Sequence, residues 1–102
     1  MKYQLVLQFL GEQIEDFDEL LKLEFDLGLS LKGKHIVDGH DFGSAEMNIF
    51  IHTDNPEEAL SNAKASLDKL STKNYIVAFR DIAGEDYTVL FPNEFEGVFC
   101  VK

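Results

Sequence analysis

The chain has 102 residues, 45% hydrophobic and 12% aromatic, the size of one domain with enough apolar material for a core without metal or disulfide staples. Nineteen acidic residues against nine basic ones leave a net charge of −10, which repels phosphate backbones and anionic lipid headgroups, so nucleic acid and membrane are not expected partners and a basic protein is. A lone cysteine, Cys100, excludes an intramolecular disulfide, and no apolar run nears the roughly 20 residues that span a bilayer.

The opening MKYQLVLQFLGEQ carries one Lys and a short apolar run broken by glutamines. That is a strand pattern and lacks the long apolar core of a secretory signal, so a cytoplasmic location is expected. Within residues 3–10, Tyr3, Leu5, Leu7 and Phe9 take one face, and Gln4, Val6, Gln8 and Leu10 the other. From Gln13 to Leu27 the period becomes helical, with Ile14, Phe17, Leu20, Leu21, Phe25 and Leu27 near one side and Gly28 as the stop. A loop, GLSLKGK, leads into a short strand, KHIVD. Residues 39–44 read as the bend of a hairpin whose second strand is AEMNIFIHT, where Met47, Ile49 and Ile51 alternate with Asn48, Phe50 and His52.

The next helix is announced by its cap. Asn55 stands before Pro56, with Glu58 three residues after the cap, and Leu60, Ala63, Leu67 and Leu70 form the apolar stripe. STKN closes it, YIVAFRDI is a strand, AGED a turn, YTVLF a strand stopped by Pro92, and GVFCV a weak last strand. The order β-α-β-β-α-β-β suggests a single-domain α+β chain, a ferredoxin-like two-layer sandwich with an antiparallel sheet and both helices on one face. The second strand is the weakest link.

The densest chemistry lies between Asp38 and Glu46. Asp41-Phe42-Gly43 matches the magnesium-binding tripeptide of protein kinases, but the other parts of a kinase are missing, so the match is chance. Asp38, His40, Asp41 and Glu46 offer three carboxylates and an imidazole to a hard cation. Their spacing fits no defined metal loop, and the acids oppose a phosphate nest. A structured turn explains the same residues: Gly39 and Gly43 allow positive φ, the aspartates bond nearby backbone N–H groups, and Phe42 anchors the loop. The turn is the preferred reading, and no cofactor is implied.

Other constellations are thinner. Cys100 sits in an apolar run rather than an electropositive setting. Ser44 beside His40 lacks a nucleophile elbow. His35 and His52 are lone strand residues.

Two surfaces remain. On the sheet face away from the helices, Gln4, Val6 and Gln8 should lie beside Asn48, Phe50 and His52, with Ile76, Ala78 and Arg80 on the neighbouring strand. Such a face holds a ligand or partner, meets water, or buries itself in a homodimer. The first helix carries Glu12, Glu15, Asp16, Asp18, Glu19, Glu24 and Asp26 against Lys22 alone. Its dipole accounts for the early acids but not for Glu24 and Asp26, and a dense acidic stripe speeds association with a basic partner. A solvated helix face is the plainer alternative.

The stretches MKYQLVLQF, EDFDEL, VDGHDFGSAEMNIFIHTDNPEEA and GEDYTVLFP resemble a family of small bacterial proteins of uncharacterised activity, along nearly the full length. DGHDFGS-x-EMNIFI-x-TD-x-P is the specific part. The resemblance implies a bacterial, cytoplasmic protein and assigns no catalytic residue. In size and acidity alone the chain is similar to bacterial immunity proteins that block toxins. The expectation is a non-enzymatic binding or inhibitory module for a basic partner. The alternative is a small enzyme or divalent-cation-binding protein that uses the Asp38–Glu46 segment and the open sheet face.

Overall fold

The computed structural model describes residues 1–10, 17–43, 46–70, 75–92, 97, 99 and 101, without the side chains of Phe17 and Phe42. Along them run β1 (Tyr3–Leu10), α1 (Phe17–Ser30), β2 (Ile36–Gly43), β3 (Glu46–Thr53), α2 (Pro56–Leu67), β4 (Tyr75–Asp81) and β5 (Thr88–Phe91). The strands pair antiparallel in one sheet, ordered β2-β3-β1-β4-β5. The fold is α+β, as expected, and its fifth strand sets it apart from the four-stranded ferredoxin arrangement.

Alternation along the central strand β1 decides the two faces of the sheet. Leu5, Leu7 and Phe9 join Met47, Ile49 and Ile51 of β3 and Tyr75 and Val77 of β4 in the main core. Onto this row α1 brings Leu20, Leu23 and Leu27, and α2 brings Ala59, Ala63 and Leu67. Each large side chain buried there contributes about 1.5–3 kcal/mol, so both helices are held by the apolar half of the alternation. The α2 cap forms as its sequence dictates: Asn55 Oδ1 accepts the Glu58 N–H at 3.1 Å, and Pro56 opens the helix.

Three expectations need correction. Helix α1 runs on to Ser30, through Gly28, and the Leu31 N–H still donates to the Leu27 carbonyl at 2.9 Å. Burial of Leu31 outweighs the roughly 1 kcal/mol that an interior glycine costs. Phe25, expected in the core, points outward and is 68% exposed, while Leu23 takes the buried place. Ile14 lies outside the described residues.

The second correction concerns β2. It is no short strand before a loop: it extends over eight residues to Gly43, taking in most of the Asp38–Glu46 segment. Its register with β3 slips between Val37 and Gly39, so Asp38 forms a bulge. Gly39 there has φ +124°, a conformation that favours glycine.

The third concerns the chain end. Gly97, Phe99 and Val101 do not form a strand. Phe99 instead packs with Val6 and Ala78 on the sheet face opposite the helices, joined by Phe50, Ile76, Tyr87, Val89 and Val101. Ser44, residues 71–74 and Cys100 lie outside the described residues.

Candidate functional site

The sheet face away from the helices has the expected composition. In register, β1 sets Gln4, Val6 and Gln8 opposite His52, Phe50 and Asn48 of β3, and opposite Arg80, Ala78 and Ile76 of β4. It is not open as expected, however: Val6, Ala78, Gln8 and Asn48 are buried within the one chain. Val6 and Ala78 interrupt the polar rows with apolar surface, and the chain's own Phe99 covers them.

Its polar groups are engaged with one another. Asn48 Nδ2 donates to Glu46 Oε2 at 2.8 Å, and Gln8 Nε2 donates to the same oxygen at 3.1 Å and to Asn48 Oδ1 at 3.2 Å. Two amides thus neutralise the desolvation of a buried carboxylate, as a buried charge requires. Arg80 is spent on structure as well. Its Nε donates to Gln4 Oε1 at 3.1 Å, and its Nη1 donates to the carbonyls of Ile82 at 2.9 Å, Gly84 at 3.0 Å and Asp81 at 3.3 Å. A guanidinium used to close the turn between β4 and β5 is a poor hand for a ligand. His52, half-buried, has Asp38 Oδ2 3.5 Å from its Nε2.

The residues once grouped as a loop are dispersed by the strand. His40 Nδ1 turns towards the helices and meets the Glu24 carboxylate at 3.0 Å. Glu46 belongs to the amide cluster on the other face, and Asp38 and Asp41 are exposed. Among the described residues no three of His, Cys, Asp and Glu gather closely enough to hold a metal ion. His35 is buried as a tie: its Nδ1 lies 2.7 Å from Thr53 Oγ1, which also accepts the Asn55 N–H at 2.9 Å, and its Nε2 lies 3.4 Å from Asn62 Nδ2. It binds the entry of β2 to the start of α2.

The acidic helix divides into two flanks. Asp18, Glu19 and Asp26 line a groove of about 330 Å³ between the helices, together with Ser66, Lys69 and Leu70. Glu12, Glu15 and Asp16 lie outside the described residues. The outward flank holds what the sequence reading missed. Leu21, Phe25 and Leu29 recur every four residues, and the last two are 68% and 62% exposed. The signal was present as a second apolar spacing on one helix, interleaved with acids. Exposed large apolar side chains next to a charged flank are an arrangement that protein interfaces use.

No helix among the described residues is long and apolar enough to cross a membrane. No family model, curated protein or solved structure matches the chain.

Proposed function

We propose that the protein is a non-enzymatic binding or inhibitory module for a basic protein partner, and that α1 is its contact element. The observation that carries this reading is the pair Phe25 and Leu29, left in water on a helix that also bears Asp18, Glu19, Glu24 and Asp26. Apolar anchors supply affinity once desolvated, and the carboxylates of the same helix steer a cationic surface and reject an anionic one. The chain's net charge of −10 extends that field.

The alternative, a small enzyme or cation-binding protein, loses support from the separation of His40 from Glu46 and from the engagement of Arg80. A homodimer through the sheet face has less apolar area to use, since Phe99 already covers Val6 and Ala78. We also read β1 to β4 with the two helices as a ferredoxin-like unit extended by β5. The placement of β1 between β3 and β4 supports that kinship.

The test is capture from a bacterial lysate at low and high salt, with wild type and Phe25→Asp as baits. A basic protein should be retained at low salt, released at high salt and lost with the variant. Absence of any basic protein at low salt sinks the reading.

A further inference from the structure

We propose that the groove beside the β4–β5 turn, walled by Tyr87 and Phe99 and lined also by Glu85 and Asp86, binds a small organic cation of the methylated ammonium type. The groove belongs to the sheet face opposite the helices, so the inference goes beyond the α1 reading and stands or falls without it.

Two rings make the wall. Tyr87 comes directly before β5, and Phe99 returns to the sheet from the C-terminal stretch. Their ring centroids are 4.9 Å apart and their planes meet at 63°, so the rings form a corner rather than a stack. Phe99 packs on Val6 and Ala78, both fully buried, with Tyr87 and Val89 beside it. The corner is therefore set by the fold before a ligand arrives, which spares part of the ordering cost of binding. Beside it opens a groove of about 560 Å³ lined by Glu85, Asp86, Tyr87, Val89, Gly97 and Phe99. That volume is within the range of small-molecule sites.

Charge decides what fits. Glu85 and Asp86 are acidic and exposed, and none of the other four lining residues is basic. Among the described residues no cation pairs with either acid. Arg80, the cation of the same turn, is committed to Gln4 and to the carbonyls of Asp81, Ile82 and Gly84. An anion is repelled by the two carboxylates and by the field of a chain with net charge −10. An uncharged apolar ligand would strip water from the carboxylates and offer nothing in return.

A hard metal ion needs a shell of oxygen ligands, and among the described residues no three of His, Cys, Asp and Glu gather closely enough to hold one. A methylated ammonium suits both halves of the groove. Aromatic faces attract its diffuse positive charge, the carboxylates balance that charge, and its methyl groups are compatible with Val89. Small, strongly hydrated cations lose more water than the rings replace, so they should rank below it.

The experiment titrates the whole chain with choline, with the uncharged alcohol in which carbon replaces its nitrogen, and with potassium chloride, all at matched ionic strength. Binding is followed by proton NMR. The N-methyl protons of choline should shift upfield, as protons over a ring face do, and show contacts to the Tyr87 and Phe99 ring protons. The alcohol and potassium should leave those ring signals in place. Tyr87→Leu keeps an apolar side chain without the aromatic face and should weaken choline binding about fivefold or more. Glu85→Gln combined with Asp86→Asn, both at exposed positions, should also weaken it while leaving the urea midpoint unchanged. If Tyr87→Leu lowers that midpoint, the acid double variant carries the test. Equal binding of the alcohol would mean an apolar groove without charge recognition, and displacement of choline by an equal concentration of potassium would mean charge alone. Either result overturns the proposal, as does choline binding that the acid double variant leaves untouched, or the absence of any shift at Tyr87 and Phe99.

Discussion

Phe25→Ala separates a surface anchor from a core residue. With 68% of its area in water, Phe25 draws on about a third of the roughly 1.5–3 kcal/mol that full burial supplies, so its truncation should cost about 0.5–1 kcal/mol. Alanine's better helix propensity offsets a few tenths of that. A Phe packed in a core costs about 3–5 kcal/mol on the same change. Leu23, two positions earlier and 3% exposed, is the internal control, and Leu23→Ala should cost about 2–5 kcal/mol. Urea unfolding of the two variants beside wild type, with unchanged m-values, gives both numbers. A loss at Phe25 as large as at Leu23 would mean that the outer stripe is core. The account of α1 as a contact surface would then be wrong.

Gly39→Ala should destabilise by about 1–3 kcal/mol; a Cβ there meets open space, so the cost is conformational and follows from φ +124° alone. An unchanged denaturation midpoint would mean that the bulge relaxes without strain. Asn48→Leu removes one donor from the buried Glu46 carboxylate and one acceptor of Gln8, at about 1–3 kcal/mol or more. Adding Glu46→Gln, which removes the charge, should recover part of that loss, and strictly additive losses in the double variant would refute the cluster. The Tyr75 phenol is pushed above its ordinary 10.0 by burial first and the negative charge of Asp68 second. The unfolded chain gives up this proton first, so the stability is fully present below about pH 10 and declines as pH rises beyond it. Tyr75→Phe should flatten that alkaline decline in denaturant midpoints, and an identical pH profile in both proteins would contradict the assignment.

The parts of the fold legible in the sequence are those in which one residue pattern admits one structure. Strict alternation from Tyr3 to Leu10 fixed which side chains share a face, and the register then followed: Gln8 does lie opposite Asn48, and Gln4 opposite His52. Asn55 and Pro56 set the start of α2 by local chemistry alone. Helix α1 was ambiguous because Leu20, Leu23 and Leu27 compete with Leu21, Phe25 and Leu29 for the same sheet. Size favours the stripe with the Phe, and only the tertiary position of the sheet chooses the other. Residues 39–43 read as part of a hairpin bend because Asp and Gly are depleted in strands. An edge strand tolerates them, since one side is free to bulge. The cover over Val6 and Ala78 is a long-range contact, and neither alternation nor capping foretells where Phe99 will lie.

The central claim is that the outer face of α1 binds a basic protein through apolar anchors on an acidic helix. Its most direct test is the affinity of the captured basic protein for wild type and for Phe25→Ala, titrated at low and at physiological salt. Wild-type affinity should fall as salt rises. Phe25→Ala should weaken binding about tenfold or more at both salts, as loss of an anchor does, while leaving the salt dependence in place. An affinity that Phe25→Ala leaves untouched, or one indifferent to salt, would contradict the claim.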